Sequence, residues 1–280
     1  MIKRLIVGTD GSKTAQVAED YGIYLSVKLK KPVIGVHVID IRLLEGPFLE
    51  DIAGALGFSV YADLTPKIKE ILEARAEAIL NDFIKKCREK GADCSIAQIY
   101  GIVANEIVDM ADEDDLIIVG KKGEHPEYVP LFLGSTAEAV ARKSKCPVMV
   151  TTEEFREIKN VALAFDGREK SIHAAQYLNE FCKDLGIQKI KVLTVFEEES
   201  PEQEKIIKNL LNEYLKLEYE FIKLEGYPEE ELTIYIKEHK DNLDLLTMGA
   251  YGESKIKELI LGSTTSYIMQ KSEIPVLLVK

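Results

Sequence analysis

The sequence repeats itself, and a chain built from two copies of one pattern folds as two copies of one unit. Lys3–Gly11 (KRLIVGTDG) matches Lys159–Gly167 (KNVALAFDG), and Pro32–Asp40 matches Lys189–Glu197 more loosely. Asp115–Gly120 (DLIIVG) matches Asp244–Gly249 (DLLTMG), and Lys145–Val150 (KCPVMV) matches Glu273–Leu278 (EIPVLL). The spacing between partners shortens from Asp10/Asp166 and Val38/Val195 to Gly120/Gly249 and Pro147/Pro275, which leaves about 28 additional residues in the first half. Arg42–Thr65 is the natural place for most of them. It is glycine-rich yet carries Leu43, Leu44, Phe48, Leu49, Ile52 and Phe58, so it reads as an insertion that covers something apolar.

Within each half the short runs are rich in Val, Ile and Leu without polar alternation, the pattern of strands buried on both faces. Helical patterns lie between them. Lys13–Lys30 can be capped by Ser12 or Asp10, Pro66–Lys90 is stopped by Gly91, and shorter helices fit Ala104–Ala111 and Thr136–Arg142. The second half offers Pro201–Lys216, Pro228–His239 and Ser263–Lys271. Alternating strands and helices predict an α/β fold: two tandem doubly wound parallel-sheet domains, Rossmann-like, related by the internal repeat. The units are expected at 1–152, with the insertion at about 42–65, and at 158–280. The polar joint at Thr151–Glu157 leaves no room for a flexible linker, so the halves are expected to pack, with Val148–Val150 beside Val276–Leu278. That pairing would be internal to one chain and leaves a further homodimer open.

Charge narrows the partners. Against 36 Lys and Arg stand 48 Asp and Glu, a formal net charge of −12. Nucleic-acid backbones and anionic membranes do not attract such a surface, although a local ring of backbone N–H groups can still hold phosphate. No apolar run approaches a membrane span and the first residues lack a signal-peptide pattern, so the protein is expected in the cytoplasm. Cys87, Cys94, Cys146 and Cys182 form no C-x-x-C pair and read as thiols in a reducing compartment. The four histidines are scattered, without metal-ligating spacing, and no metal site is expected from them.

Chemistry concentrates where strands end. Met248-Gly249-Ala250-Tyr251-Gly252 is followed, nine residues later, by Gly262-Ser263-Thr264 opening a helix. Glycines let the main chain approach a ligand, and a Gly-Ser-Thr helix start offers free N–H groups, hydroxyls and the positive end of the dipole. The first half has Val119-Gly120-Lys121-Lys122-Gly123, then ten residues, then Gly134-Ser135-Thr136. At the other strand ends Thr9-Asp10-Gly11 and Phe165-Asp166-Gly167 place a carboxylate at the lip of the sheet. Each can meet a ribose hydroxyl or a phosphate-bound metal, or can simply cap the next helix.

This combination, present twice in one order, resembles the universal stress proteins in their tandem form, whose fold is adenine nucleotide alpha hydrolase-like. The family's nucleotide-binding members carry G-x2-G-x9-G-[ST], which Gly249, Gly252, Gly262 and Ser263 match without adjustment. The resemblance implies ATP, with Mg²⁺ as an open addition, across the strand ends. In the second half it points to Phe165, Asp166, Val195, Met248, Gly249, Gly252, Gly262, Ser263 and Thr264. In the first it points to Thr9, Asp10, Val38, Val119, Gly120, Gly123, Gly134, Ser135 and Thr136. The first-half loop is one residue longer and contains Glu124, Pro126 and Pro130, so the second half is the firmer expectation.

No positioned general base accompanies the motif, because His125 and His239 stand alone. The expected role is therefore a nucleotide-dependent stress or signalling protein without catalytic residues. A slow ATP hydrolase and an interaction module that binds no nucleotide are the alternatives.

Overall fold

The computed structural model describes residues 2–44, 55, 65–123, 134–198, 200–250 and 262–280. Its first half runs β1 (Leu5–Gly8), α1 (Lys13–Leu29), β2 (Val33–Asp40), α2 (Thr65–Lys90), β3 (Cys94–Gly101), α3 (Val103–Asp109), β4 (Leu116–Gly120), α4 (Ser135–Lys143) and β5 (Val148–Thr151). The second runs β6 (Val161–Ala164), α5 (Glu169–Leu185), β7 (Lys189–Phe196), α6 (Pro201–Tyr214), β8 (Glu218–Glu225), α7 (Pro228–His239), β9 (Leu245–Gly249), α8 (Ser263–Lys271) and β10 (Val276–Val279).

All of these strands form one ten-stranded sheet in the order β3-β2-β1-β4-β5-β10-β9-β6-β7-β8. Each half is parallel. The halves join where β5 and β10 pair antiparallel, Val276 opposite Val150, Leu277 opposite Met149 and Leu278 opposite Val148. The expected pairing of the two Pro-Val strands is thus present, and it leaves neither as an open edge. Alternation along the strands sends Leu5, Val7, Leu116, Ile118, Met149, Leu163 and Leu277 into one core and Ile6, Ile117, Val119, Val148, Leu246 and Leu278 into the other. Each core draws on both halves, so the molecule shares its interior across the junction. The joint is packed as well: Phe155 lies against Tyr21 with ring centroids 4.8 Å apart, and the Arg156 N–H donates to the Tyr21 hydroxyl at 3.1 Å.

Three readings of the sequence need correction. The outer strands β3 and β8 alternate between partly buried and exposed residues, because edge strands lie outside the doubly covered region. Helix α5, which is not among the helices expected from the sequence, packs its Ala174, Ala175, Leu178 and Cys182 into the core. Finally, Cys87 and Cys94 form a disulfide, with Cα atoms 6.2 Å apart, whereas Cys146 and Cys182 are free and buried. The seven-residue spacing spans the turn at Gly91, which folds the end of α2 back onto the start of β3. This pairing removes the argument from reduced thiols to a reducing compartment. No helix of the described residues is long and apolar enough to cross a membrane.

Most of the insertion lies outside the described residues. Its visible start, Ile41–Leu44, makes a short turn, and Leu44 is buried with Ile39 and Ala76 beside Ile68 and Leu72. It therefore does begin by covering apolar surface near the end of β2.

Candidate functional site

In each half the strand order reverses between its first and fourth strands, β1 and β4 or β6 and β9. Loops leaving such a pair diverge to opposite faces of the sheet and open a crevice beyond its carboxyl edge. In the first half that crevice is a cavity of about 340 Å³. Thr9, Asp10, Val38, Val119, Gly120, Gly123, Gly134, Ser135 and Thr136 all line it. Ile39, Leu43, Leu72, Val103 and Ile107 add an apolar wall, while Arg75, Lys122, His37 and Asp40 bring polar groups.

The turn after β1 is shaped by Gly11, whose φ of 78° is left-handed and whose Cα lies against Ile79 of α2. Asp10 is not the cap of α1. Ser12 is, its hydroxyl accepting from the Ala15 N–H at 3.3 Å, and Asp10 Oδ1 accepts from the Ser12 N–H at 2.9 Å, bracing the turn. The other oxygen, Oδ2, faces Gly123 across the cavity mouth. Behind them the Thr9 hydroxyl donates to Glu19 Oε1 at 2.5 Å, and Lys86 of α2 pairs with Glu19 Oε2 at 2.7 Å. Burial lowers the Lys86 pKa, but the Glu19 hydrogen bond and charge outweigh it and hold it above the usual lysine range. His37 Nδ1 donates to the Thr9 carbonyl at 2.9 Å, and the Thr194 hydroxyl repeats that contact with the Phe165 carbonyl at 2.8 Å.

The glycines of the loop have different tasks. A Cβ on Gly120 would lie 2.7 Å from the Thr14 carbonyl carbon, and one on Gly249 would lie 2.5 Å from that of Lys170, so both permit close approach of a helix start to a strand end. Among the described residues, a Cβ on Gly123 would meet only Asp10 Oδ2, at 3.4 Å, and Gly123 lines the cavity. Opposite it stands the start of α4. Gly134 is its N-cap and supplies no side-chain cap, so among the described residues the first N–H groups of α4 have no side-chain acceptor there. That is an anion-binding geometry, with the helix dipole behind it.

The second half is built alike but with different side chains. Phe165 is buried in the core, Met248 is buried, and Asp166 is exposed, holding the Arg168 N–H at 3.0 Å. Gly262 caps α8 without a side-chain hydrogen bond, and Ser263 is exposed beside it. The Thr264 hydroxyl donates to Glu229 of α7 at 3.3 Å, which puts a carboxylate where an anion would sit. Gly252 lies outside the described residues, as do Glu124, Pro126, Pro130 and His125.

A family model described as the universal stress protein family matches residues 1–152 and again residues 157–280. The chain belongs to the universal stress protein family. Universal stress protein Slr1230 from Synechocystis is 28% identical over 99% of both chains. Universal stress protein MJ0577 from Methanocaldococcus jannaschii is 34% identical over 54% of this chain and 94% of its own. A universal stress protein crystal structure from Archaeoglobus fulgidus covers 99% of this chain and 98% of its own, with a TM-score of 0.73 at 19% identity, a likeness of fold.

Within this universal stress protein, three polar groups at the first cavity lie outside the motif: His37, Asp40 and Arg75. Asp40 and Arg42 form an ion pair, and that guanidinium holds the Asp40 carboxyl below its usual range. Arg75 also donates to the Asp10 carbonyl at 3.5 Å. It arrives on α2, whose register is set by Ile79 against Gly11. The matching contact of Ile207 against Gly167 places Gln203 at the corresponding position of the second half. The sequence holds no separate signal for Arg75, because the helix following the insertion carries six other basic residues and its contact with Gly11 arises only in the fold.

Proposed function

We propose that the chain binds an adenine nucleotide, ATP with Mg²⁺, at the carboxyl end of the sheet, and that the nucleotide state governs its association with a partner in a stress or signalling role. The observation that carries this reading is the first-half cavity, in which an apolar wall, a lip carboxylate and an uncapped helix start converge. Val38 and the apolar residues around it offer a surface for the base. Asp10 suits a ribose hydroxyl or the metal, and Gly123, Gly134, Ser135 and Thr136 suit the phosphates, with Arg75 adding positive charge.

The second half takes the same ligand more weakly. Motif spacing favours it, but Glu229 at the Thr264 hydroxyl opposes phosphate, and Gln203 stands in for a cation. On this reading the first half is the tighter site, the reverse of the order expected from spacing alone.

The test is to denature freshly purified protein, identify released nucleotide by mass and quantify it per chain, then titrate stripped protein with Mg-ATP. Gly123→Val is expected to weaken binding at least tenfold and Gly252→Val to leave the tighter site in place. No nucleotide on the purified chain together with no binding at millimolar Mg-ATP would overturn the reading.

A further inference from the structure

The halves meet at a second cleft, of about 410 Å³, bordered by Lys121, Lys122 and Glu153 on one side and Lys240, Lys271 and Glu273 on the other. Its charges sort into pairs and a remainder. Lys122 Nζ meets Glu153 Oε1 at 3.0 Å, Lys240 Nζ meets Glu273 Oε2 at 2.6 Å, and Arg156 Nη2 lies 3.8 Å from Glu154 Oε2. Lys121 and Lys271 are left over, since neither forms an ion pair among the described residues. In a chain of net charge −12, this is a local surplus of positive charge.

Lys121 is the unusual member. Its ammonium reaches across the junction and donates to the Ser272 carbonyl at 2.9 Å, a neutral partner. Burial, then the Lys122 charge, lower its pKa to about 8; Lys271 pushes in the same direction, and the charges of Glu153 and Glu273 only partly oppose them. The fold does not require a lysine there. The matching residue of the second half is Ala250, fully buried, whose N–H donates to the Val279 carbonyl at 2.7 Å just as the Lys121 N–H donates to that of Thr151 at 3.0 Å. A desolvated ammonium with no carboxylate in direct contact costs stability, and the repeat itself carries the apolar alternative. An anion in the cleft would supply the missing partner.

We propose that the cleft between the halves binds a small dianion of the phosphate class, held by the Lys121 and Lys271 ammonium groups. The site is separate from the switch-point cavity. The two share Lys122, whose carbonyl accepts from the Thr14 hydroxyl and whose ammonium is engaged by Glu153.

The experiment is a calorimetric titration of the full chain with inorganic phosphate at neutral pH and low salt, repeated on variants whose melting shows that they fold. Lys121→Gln combined with Lys271→Gln is expected to weaken binding at least tenfold, Lys121→Arg to retain it, and Gly123→Val, in the other cavity, to leave it in place. Should the double variant fail to fold, Lys271→Gln alone, at an exposed position, is expected to weaken binding several-fold. Absence of saturable binding at millimolar phosphate overturns the proposal. So does binding that survives the lysine changes, and so does binding lost in Gly123→Val but kept in the double variant, which would assign the phosphate to the switch-point cavity.

Discussion

At the scale of single residues, glycines of one motif separate into packing glycines and cavity-facing glycines. Gly120 lies against the main chain of Thr14, where a Cβ at 2.7 Å could be relieved only by moving backbone. Gly120→Ala is therefore expected to cost about 1–3 kcal/mol of stability, read from denaturant melts. Among the described residues only Asp10 Oδ2 comes near a Cβ on Gly123, and its φ is not left-handed, so Gly123→Val is expected to melt within about 0.5 kcal/mol of wild type. Equal losses for the two variants would show that Gly123 is also a packing residue. Motif spacing contains no such distinction, because it depends on what α1 brings to each glycine. Asp10 illustrates the same limit. Its type and place at the strand end were legible, yet its use as a turn brace beside a Ser12 cap depends on two hydrogen bonds that spacing does not encode.

At the scale of elements, legibility follows burial. The central strands declare themselves because helices cover both of their faces, and helices bounded by Pro or Gly, such as α2, α6 and α7, end within a residue or two of their expected limits. Edge strands β3 and β8 carry a half-polar pattern that merges with loop, and α5 lacks a capping side chain at Arg168 to announce it. The disulfide was hidden for a different reason. Cys87 and Cys94 are neighbours only after α2 turns at Gly91 onto β3, a contact between elements rather than a motif. Because it ties the end of α2 to an edge strand, Cys94→Ser is expected to lower stability by about 2 kcal/mol, and reductant to shift the wild-type melt toward that of the variant. A melt indifferent to reductant, with both thiols open to alkylation beforehand, would show that the bond does not form in solution.

At the scale of the whole molecule, the repeat produces a continuous sheet and two shared cores, but its two copies are not equivalent. The first half has Arg75 where the second has Gln203, and Lys121 where the second has Ala250; the second half alone adds Glu229 at the start of α8. Lys121 makes this asymmetry measurable at the junction. Its pKa falls from an ordinary 10.5 to about 8 in the folded chain, so between those values the unfolded chain binds more protons than the folded one. Stability due to this group must then rise with pH from about 8 and level off near 10.5. The full shift corresponds to about 3 kcal/mol, which partial access of water to the ammonium reduces to about 1–2 kcal/mol. Lys121→Met has no such proton to lose. Comparing it with wild type isolates the term from Lys280, whose pKa burial lowers to about 7, and from the buried cysteines and tyrosines, whose pKa values burial raises. In phosphate-free buffer, the difference in unfolding free energy should move by about 1–2 kcal/mol in favour of wild type between pH 7 and pH 10.5. An anion held in the cleft would offset the cost of the ammonium near neutrality, so added phosphate should flatten that dependence in wild type and leave the variant unchanged. A difference that stays constant with pH would place the Lys121 ammonium in water rather than in the cleft.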